Sequence, residues 1–583
     1  MWPFESSYPQ RRPSELQAEY DYIIVGGGTA GCVLARRLAE ERKWSVLVVE
    51  RGDARDGWLD KSPLFSTYQF SDKKHGVSLQ ARMWEGKKVE VLGGKGLGGT
   101  SRINGMQWTR GVPGDYNAWG ESGREGWSYD TLKPYFERAE GHWNPATLTH
   151  YGRNGPLQVE APPQEYRWGV TREIVDASEQ MGFALCNDVN DAKLPSSGCF
   201  LLHLSTSEDN YRSSTFRAYL PKAFALAHRE KLHLCTNTVT RKVEVEKTAS
   251  GTLKATGVII QDAKPGSSTR FIAARKEVIV CCGALTSPKL LLLSGIGPAK
   301  HLQEIGIPVV HELEGVGSNL QDHMGTPMSF YAPIWDTWVA LFLKPWWLIW
   351  QVLRYLIFGV GWLRDYYMET SIYTRADYLD ENMDQKQLTE KQRDATLPEN
   401  IPDIEIMFGA VCDIMHPGYD KTKGGYNLLP TVLRPQSRGT VRLSSSDPLD
   451  PPVVDLNYLS APADRVTLRT AARLALRLVA TMDARGYATS PIRAPALDAS
   501  DAELDAFLDA DTQSFFHYSS TCRMAPRDAR EPGVVDDALR VHGVPNLRVC
   551  DASVFPQIPA AHTQAPVIAV AERCADIVKA AAK

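Results

Sequence analysis

The sequence predicts an α/β chain, α+β overall, that opens with a Rossmann-like β-α-β unit and carries at least one further structural unit. Three observations lead there. The run Tyr20 to Val25 is short, apolar and β-branched, stops at three glycines and gives way to a helical pattern through Leu38. A second run, Ser45 to Val49, follows at the distance a parallel crossover needs. The chain has 583 residues, and single hydrophobic cores stop growing beyond roughly 250–300 residues.

Between those strands, Gly26-Gly27-Gly28-Thr29-Ala30-Gly31 fits G-x-G-x-x-G in the strand-to-helix setting that gives the pattern meaning. Gly26 permits a tight turn, Gly28 lets backbone approach a pyrophosphate, and Gly31 allows close helix–strand packing. Thr29 and Ala30 open the helix, whose free N–H groups favour phosphate. Glu50, nineteen residues after Gly31, sits where a carboxylate accepts from ribose hydroxyls, with Arg51 beside it. A bare turn would explain the glycines but not the strand, helix and acid together.

Farther on, Gly93 to Gly105 reads as a glycine-rich loop and 120–150 as surface helices. Leu232–Cys235, Ala255–Ile260 and Glu277–Val280 read as strands, with Cys281 and Cys282 continuing the last as buried thiols. Composition changes near 326, which marks a domain boundary. Beyond it lie an aromatic-rich stretch and strand-like segments such as Asp403 to Met407. An alanine-rich helix from Pro566 to about Ala581 closes the chain, with proline suited to its first turn.

Trp338 to Leu363 is interrupted by Lys344, Pro345, Gln351 and Arg354, too often for a spanning helix. On a helix, Lys344, Gln351 and Arg354 fall on one side and Trp346, Trp350, Leu353 and Ile357 on the other. The favoured expectation is a helix packed over the second domain or at an oligomer interface. Peripheral membrane contact is the alternative.

With 43% hydrophobic and 23% charged residues the chain is not of disordered composition, and a net charge of −4 without basic patches speaks against nucleic-acid binding. The ten cysteines include no Cys-x-x-Cys pair, so free thiols are expected and a metal site is unsupported. The start, Met1-Trp2-Pro3-Phe4 and then Arg11-Arg12, lacks the charged and apolar regions of a secretory signal, which predicts an intracellular, cytoplasmic chain.

Two longer motifs narrow the reading. Gly94 to Asn104 (through Gly98, Gly99, Thr100 and Ile103) and Gly283 to Gly297 resemble, in order, both signatures of the glucose-methanol-choline (GMC) oxidoreductases. The resemblance continues through Gly315 to His323 and Arg548 to Ser553, covering most of the chain outside 1–19 and the variable middle. It is closest to the aryl-alcohol oxidase and choline dehydrogenase-like members. It implies a Rossmann-like FAD-binding domain made of 19–160, 211–325 and 512–583. The substrate-binding domain, an antiparallel sheet with helices, would comprise 161–210 and 326–511.

By the same resemblance Gly98 to Asn104, with Gly105 and Met106, lies against the isoalloxazine ring. Val239 contacts the adenine end, and Asp551 and Ala552 touch the phosphates or ribityl chain. Some relatives attach FAD through a histidine where this chain has Ile103, so non-covalent FAD is expected. Phe516 to Met524 looks like the segment whose histidine, here His517, faces the flavin. Ala561 to Pro566 matches the segment supplying the second catalytic group, here His562. Thr563, Gln564 and Ala565 are expected cofactor contacts, because the following helix N-terminus would favour anionic charge on the flavin pyrimidine. His542, His311 and His233 are read as structural.

The chemistry explains why two histidines are needed. An alcohol proton with a pKa near roughly 16 passing to an imidazole near 6.5 is uphill by about 13 kcal/mol. The proton must therefore move as hydride leaves for flavin N5, or the alkoxide must be held by positive charge. His517 is assigned as base and His562 as partner, with the roles exchangeable. The expected reaction is oxidation of a primary alcohol, aromatic or apolar, to its aldehyde. Choline stays open through aromatic contacts, and the acceptor is oxygen or another electron carrier. A flavin-dependent lyase or light-driven fatty-acid decarboxylase of the same family is the alternative, against which the retained His517 argues.

Overall fold

The structure, a computed structural model, describes residues 8–63, 76–83, 86–144, 150–162, 165–264, 266–364 and 367–582. The opening tetrapeptide read above lies outside them. Strand Glu19–Val25 leads into helix Thr29–Ala39 and then strand Val46–Val49, paired in parallel from Tyr22 opposite Val46 to Val25 opposite Val49. The helix buries Val33, Leu34 and Leu38 completely against the sheet, worth about 1.5–3 kcal/mol each. Close packing there needs glycine: a Cβ on Gly31 would sit 2.0 Å from the Gly26 carbonyl oxygen, and Gly26 itself adopts φ +100°.

The sheet runs in the order Leu232–Cys235, Val46–Val49, Glu19–Val25, Thr269–Val280, Leu253–Asp262, Thr238–Lys247. Leu547–Val549 joins it from near the C-terminus, parallel to Val278–Val280. Its inner strands are apolar on both faces, as buried parallel strands are. The last two strands are antiparallel additions. One expectation shifts here. The strand ends at Val280, so Cys281 and Cys282 lie just beyond it, where the Cys281 N–H is held by the Val25 carbonyl. Thr238–Lys247, whose alternation of charged and β-branched residues suits an edge, is a further strand in the strand-like stretch 231–282.

A second sheet runs Ser490–Arg493, Met328–Ala332, Gly424–Val432, Ile404–Gly409, Thr370–Thr374, Gly198–Leu201, Leu185–Cys186. It is antiparallel except at its last pair. Met324–Gly325 bridges Gly424–Val432 to Gln513–Ser514, which carries the chain back toward the first sheet. Helix Pro462–Ala484 covers one face with Leu468, Leu474, Leu478 and Met482 buried. All ten cysteines are free.

Trp338 to Leu363 is not one helix. Pro345, which cannot donate to a preceding turn, separates Ala340–Leu343 from Pro345–Phe358. The second helix packs on the second domain through Trp347, Leu348, Val352 and Tyr355, and it also turns an apolar side outward: Trp346, Ile349 and Ile357 are each at least 60% exposed. Among the described residues no helix is long and apolar enough to cross a membrane.

Candidate active site

The cofactor cradle follows from the first turn of the first helix. Gly28 is its N-cap and has no side chain to satisfy the helix N–H groups. A Cβ on Gly28 would have only ordinary contacts, at 3.8 Å from the Cys281 carbonyl and 3.9 Å from Gly99 Cα, so the backbone is approachable. The glycine-rich loop rests directly on this turn: the Gly98 N–H donates to the Gly27 carbonyl at 2.8 Å, and a Cβ on Gly99 would lie 2.9 Å from Gly28 Cα. Thr29 and Thr100 hydroxyls meet at 3.4 Å across the gap. Ala30 is buried and Arg51 exposed.

Glu50 and Asp551 are both occupied in shaping backbone. Glu50 accepts from the N–H groups of Gly27 and Gly52 at 2.8 Å and of Gly96 at 3.0 Å, which locks both glycine loops to the end of its strand. Asp551 accepts from Gly283 N–H at 2.9 Å, Ser287 hydroxyl at 2.5 Å and Ser553 N–H at 2.8 Å. Ala552 lies half-buried next to it, and Val239 pairs with Gln261 in the outer strand.

Asn104 is a junction. Its amide donates to the Gln564 side-chain oxygen, while its own oxygen accepts from the Met106 N–H at 3.1 Å and from buried Arg212 at 2.6 Å. Gly105 lies between these contacts, and Met106 is fully buried at φ +58°. The last helix begins at Gln564, two residues earlier than the proline suggested, because Pro566 occupies its first turn. Thr563 is its N-cap, again without a side-chain cap, and Ala565 is fully buried. The Gln564 Nε2 is buried without a protein acceptor. Two uncapped helix N-termini, an approachable Gly28 and an orphaned amide donor together fit a dinucleotide with an acceptor-rich ring. Ile103, 2% exposed, offers no nucleophile for attachment.

Beyond the Asn104 junction stand the histidines. His517 and His562 rings are perpendicular with centroids 4.9 Å apart. Phe516, immediately before His517, is held at φ +65° and Ser520 at +67°, strained backbone of the kind that accumulates at functional sites. The His517 N–H donates to buried Asp322 at 2.7 Å, and Asp322 also accepts from the Ser514 and Tyr458 hydroxyls. Burial pushes the Asp322 carboxyl up to about 7 against those hydrogen bonds.

Two further groups stand behind the pair, neither selected from sequence. His323 Nδ1 lies 2.9 Å from His517 Nδ1, and burial above all drives the His323 pKa down to about 3. Glu405 Oε1 lies 3.3 Å from His562 Nε2 and accepts from Ser371 at 2.7 Å. Burial would raise this carboxyl, but His562 and the hydroxyls around it hold it below the ordinary glutamate value. A signal existed: a charge inside the apolar strand Ile404 to Phe408 has to be paired. By contrast His542 and His311 engage the carbonyls of Ala525 and His542, and His233 the Tyr20 hydroxyl.

The apolar wall is a compact cluster of Met106, Leu204, Met368 and Met407, with Tyr367, Leu429 and Phe515 packed on it. Met407 shares the strand face of Glu405, since alternate residues point the same way. The wall therefore adjoins His562.

Comparison with known proteins agrees with this arrangement. Two family models described as GMC oxidoreductase match residues 20–325 and 435–571. The chain is 34% identical to a glucose dehydrogenase (FAD, quinone) of Drosophila pseudoobscura pseudoobscura, covering 97% of this chain and 88% of that one. It is 32% identical to an oxygen-dependent choline dehydrogenase of Vibrio vulnificus, covering 97% and 95%. Among solved structures, a fungal aryl-alcohol oxidase superposes with a TM-score of 0.80 at 26% identity, covering 97% and 99%. A formate oxidase does so at 0.84 and 26%, covering 97% and 98%.

Proposed function

We propose that this chain, which belongs to the GMC oxidoreductase family of FAD-dependent enzymes acting on CH–OH donors, oxidises an aromatic or otherwise apolar primary alcohol to the aldehyde. The observation that carries this reading is the perpendicular His517–His562 pair set against the methionine-rich wall. FAD, when bound, is the two-electron acceptor that takes hydride from the carbinol carbon. It would be held by Gly26 to Gly31, Glu50 and Arg51, Gly98 to Met106, Val239, Asp551 and Ala552, and Thr563 to Ala565. Residues 161–210 and 326–511 form the substrate side.

The protein's own part is to place and move one proton. The acceptors beside the His323 ring are the Leu433 and Pro559 carbonyls, which can only accept. In this arrangement His323 carries its proton on Nε2, which makes no hydrogen bond, and offers Nδ1 to His517 as an acceptor. His517 then holds its proton on Nδ1, donates it to His323, and leaves Nε2 as the free base. Burial, and after it the neighbouring His562 and His323, keep His517 well below the ordinary histidine value, so it is neutral and ready to accept. His562, its Nε2 braced by Glu405, positions the substrate oxygen. A sugar would need several polar partners in the same space, and the carboxyl groups beside the pair are already engaged, Glu405 by His562 and Ser371 and Asp322 by Ser514, Tyr458 and the His517 N–H.

The test is anaerobic mixing of the FAD-loaded protein in the dark with aryl, aliphatic, sugar and choline alcohols, followed by air. Loss of the flavin bands with aryl or aliphatic alcohols is expected, and the speed of their return in air separates oxidase from dehydrogenase. Bleaching by glucose or choline alone overturns the apolar assignment. Acid precipitation is a second check: with Ile103 at the attachment position, all yellow chromophore should remain in the supernatant. A coloured pellet would mean a covalent link through another residue.

A further inference from the structure

The helix Pro345–Phe358 is apolar on both sides. Its inward side packs Trp347, Leu348, Val352 and Tyr355 on the second core. Among them Gln351 is fully buried and accepts from the Trp362 N–H at 3.1 Å, and the Tyr355 hydroxyl donates to the Asn210 carbonyl at 3.2 Å. This packing and these bonds fix the rotation of the helix and leave a second apolar side facing away from the protein.

That side is a single stripe. At about 100° per residue, Trp346, Ile349, Trp350, Leu353, Leu356 and Ile357 fall within roughly one third of the circumference. Their exposures run from 44% to 65%. Phe358, 70% exposed, extends the stripe at its end, and Trp335, 47% exposed, continues it at the start, with its ring 5.9 Å from that of Trp346. Six large side chains about half to two-thirds exposed present on the order of 600 Å², the upper end of what monomeric proteins show in one patch.

Charge decides what covers it. From Trp335 to Phe358 the sequence contains Asp336, Lys344 and Arg354, and Asp336 is engaged by the Tyr487 hydroxyl at 3.1 Å. Arg354 borders the stripe and Lys344 stands at the helix N-cap, neither with a carboxylate partner among the described residues. A second copy laid face to face would offer these cations no acid, since Pro345–Phe358 carries none. An anionic lipid surface instead offers phosphates to the cations, head-group depth to the indoles of Trp335, Trp346 and Trp350, and acyl chains to Leu353, Leu356, Ile357 and Phe358. We propose that this helix docks the protein on an anionic lipid surface, lying in its plane.

The experiment is flotation of the FAD-loaded protein with phosphatidylcholine vesicles, with and without phosphatidylserine, alongside its mass in lipid-free buffer. The protein should float with the mixed vesicles. The double variant Ile349→Glu, Ile357→Glu, altered only at exposed positions, should lose at least about tenfold in binding while its activity without lipid stays unchanged. Lys344→Gln and Arg354→Gln should each weaken binding to the serine-containing vesicles about fivefold, the contribution of one cation near an anionic surface. Protein that stays out of the lipid fraction overturns the proposal. A dimer in lipid-free buffer that the double glutamate variant splits, without flotation, would identify a second copy as the occupant instead.

Discussion

His517→Ala is expected to slow reduction of the bound FAD by alcohol at least about a hundredfold, the low end of what a positioned general base contributes, while FAD stays bound. The cradle explains the second half of that result: Gly28, Glu50 and the Asn104–Gln564 junction are held by bonds in which His517 takes no part. Stopped-flow absorbance of the variant measures the first half, and its flavin-to-protein ratio the second. Undiminished reduction would remove His517 from its role. The pH profile gives an independent check. Burial with His562 and His323 nearby lowers the His517 pKa, so its neutral form persists into acid and the acid limb of kcat/KM lies below about 6.5, the unperturbed histidine value. The same depression bears on stability. Histidines of the unfolded chain take up protons near 6.5 while His517 and His323 resist. Their contribution is complete above that pH and is lost as pH falls toward the folded values, about 3 for His323.

The largest effect on stability is expected at Glu140, which makes no hydrogen bond to either histidine of the pair. Arg110 and Glu140 are 1% and 0% exposed and form a two-pronged pair at 2.8 and 2.5 Å. The carboxylate also accepts from the Trp108 indole at 2.8 Å. Glu140→Gln leaves the guanidinium charge buried, with an amide N–H pointed at one of its donors. Breaking a buried pair from one side costs about 3–5 kcal/mol. Urea unfolding of the FAD-loaded variant should show that loss while turnover per bound flavin is kept. A loss under about 1 kcal/mol would mean that another acceptor takes over the arginine, since even one unsatisfied buried group costs about 1–3 kcal/mol.

How far the sequence led depended on whether a residue's role is local. Strand, glycines and helix at 19–39 are local, and a Cβ would collide with backbone at Gly26 and Gly31 while Gly28 stays open to approach, in line with the reason given for each. His517 and His562 could be selected because each sits in its own long motif, and the structure brings their rings within 4.9 Å of each other. His323 and Glu405 were harder, since their meaning lies in a partner 194 or 157 residues away. The helix at 345–358 shows a different limit. Periodicity reveals that two faces differ, but not which one meets the protein; the packing of Trp347, Leu348 and Val352 and the buried bonds of Gln351 and Tyr355 decide that.

The strand Leu547–Val549, parallel to Val278–Val280, has a consequence for biosynthesis. Residue 280 leaves the ribosome roughly 270 residues before its neighbour exists, about a quarter of a minute to a minute at 5–20 residues per second. Throughout that interval the edge of Val278–Val280 facing away from Glu19–Val25 stands unpaired, a short template for pairing with another nascent chain. A stop codon anywhere before 547 makes that exposure permanent. Shortened chains of this protein are therefore destined for chaperones or inclusion bodies, even though their N-terminal β-α-β unit is complete.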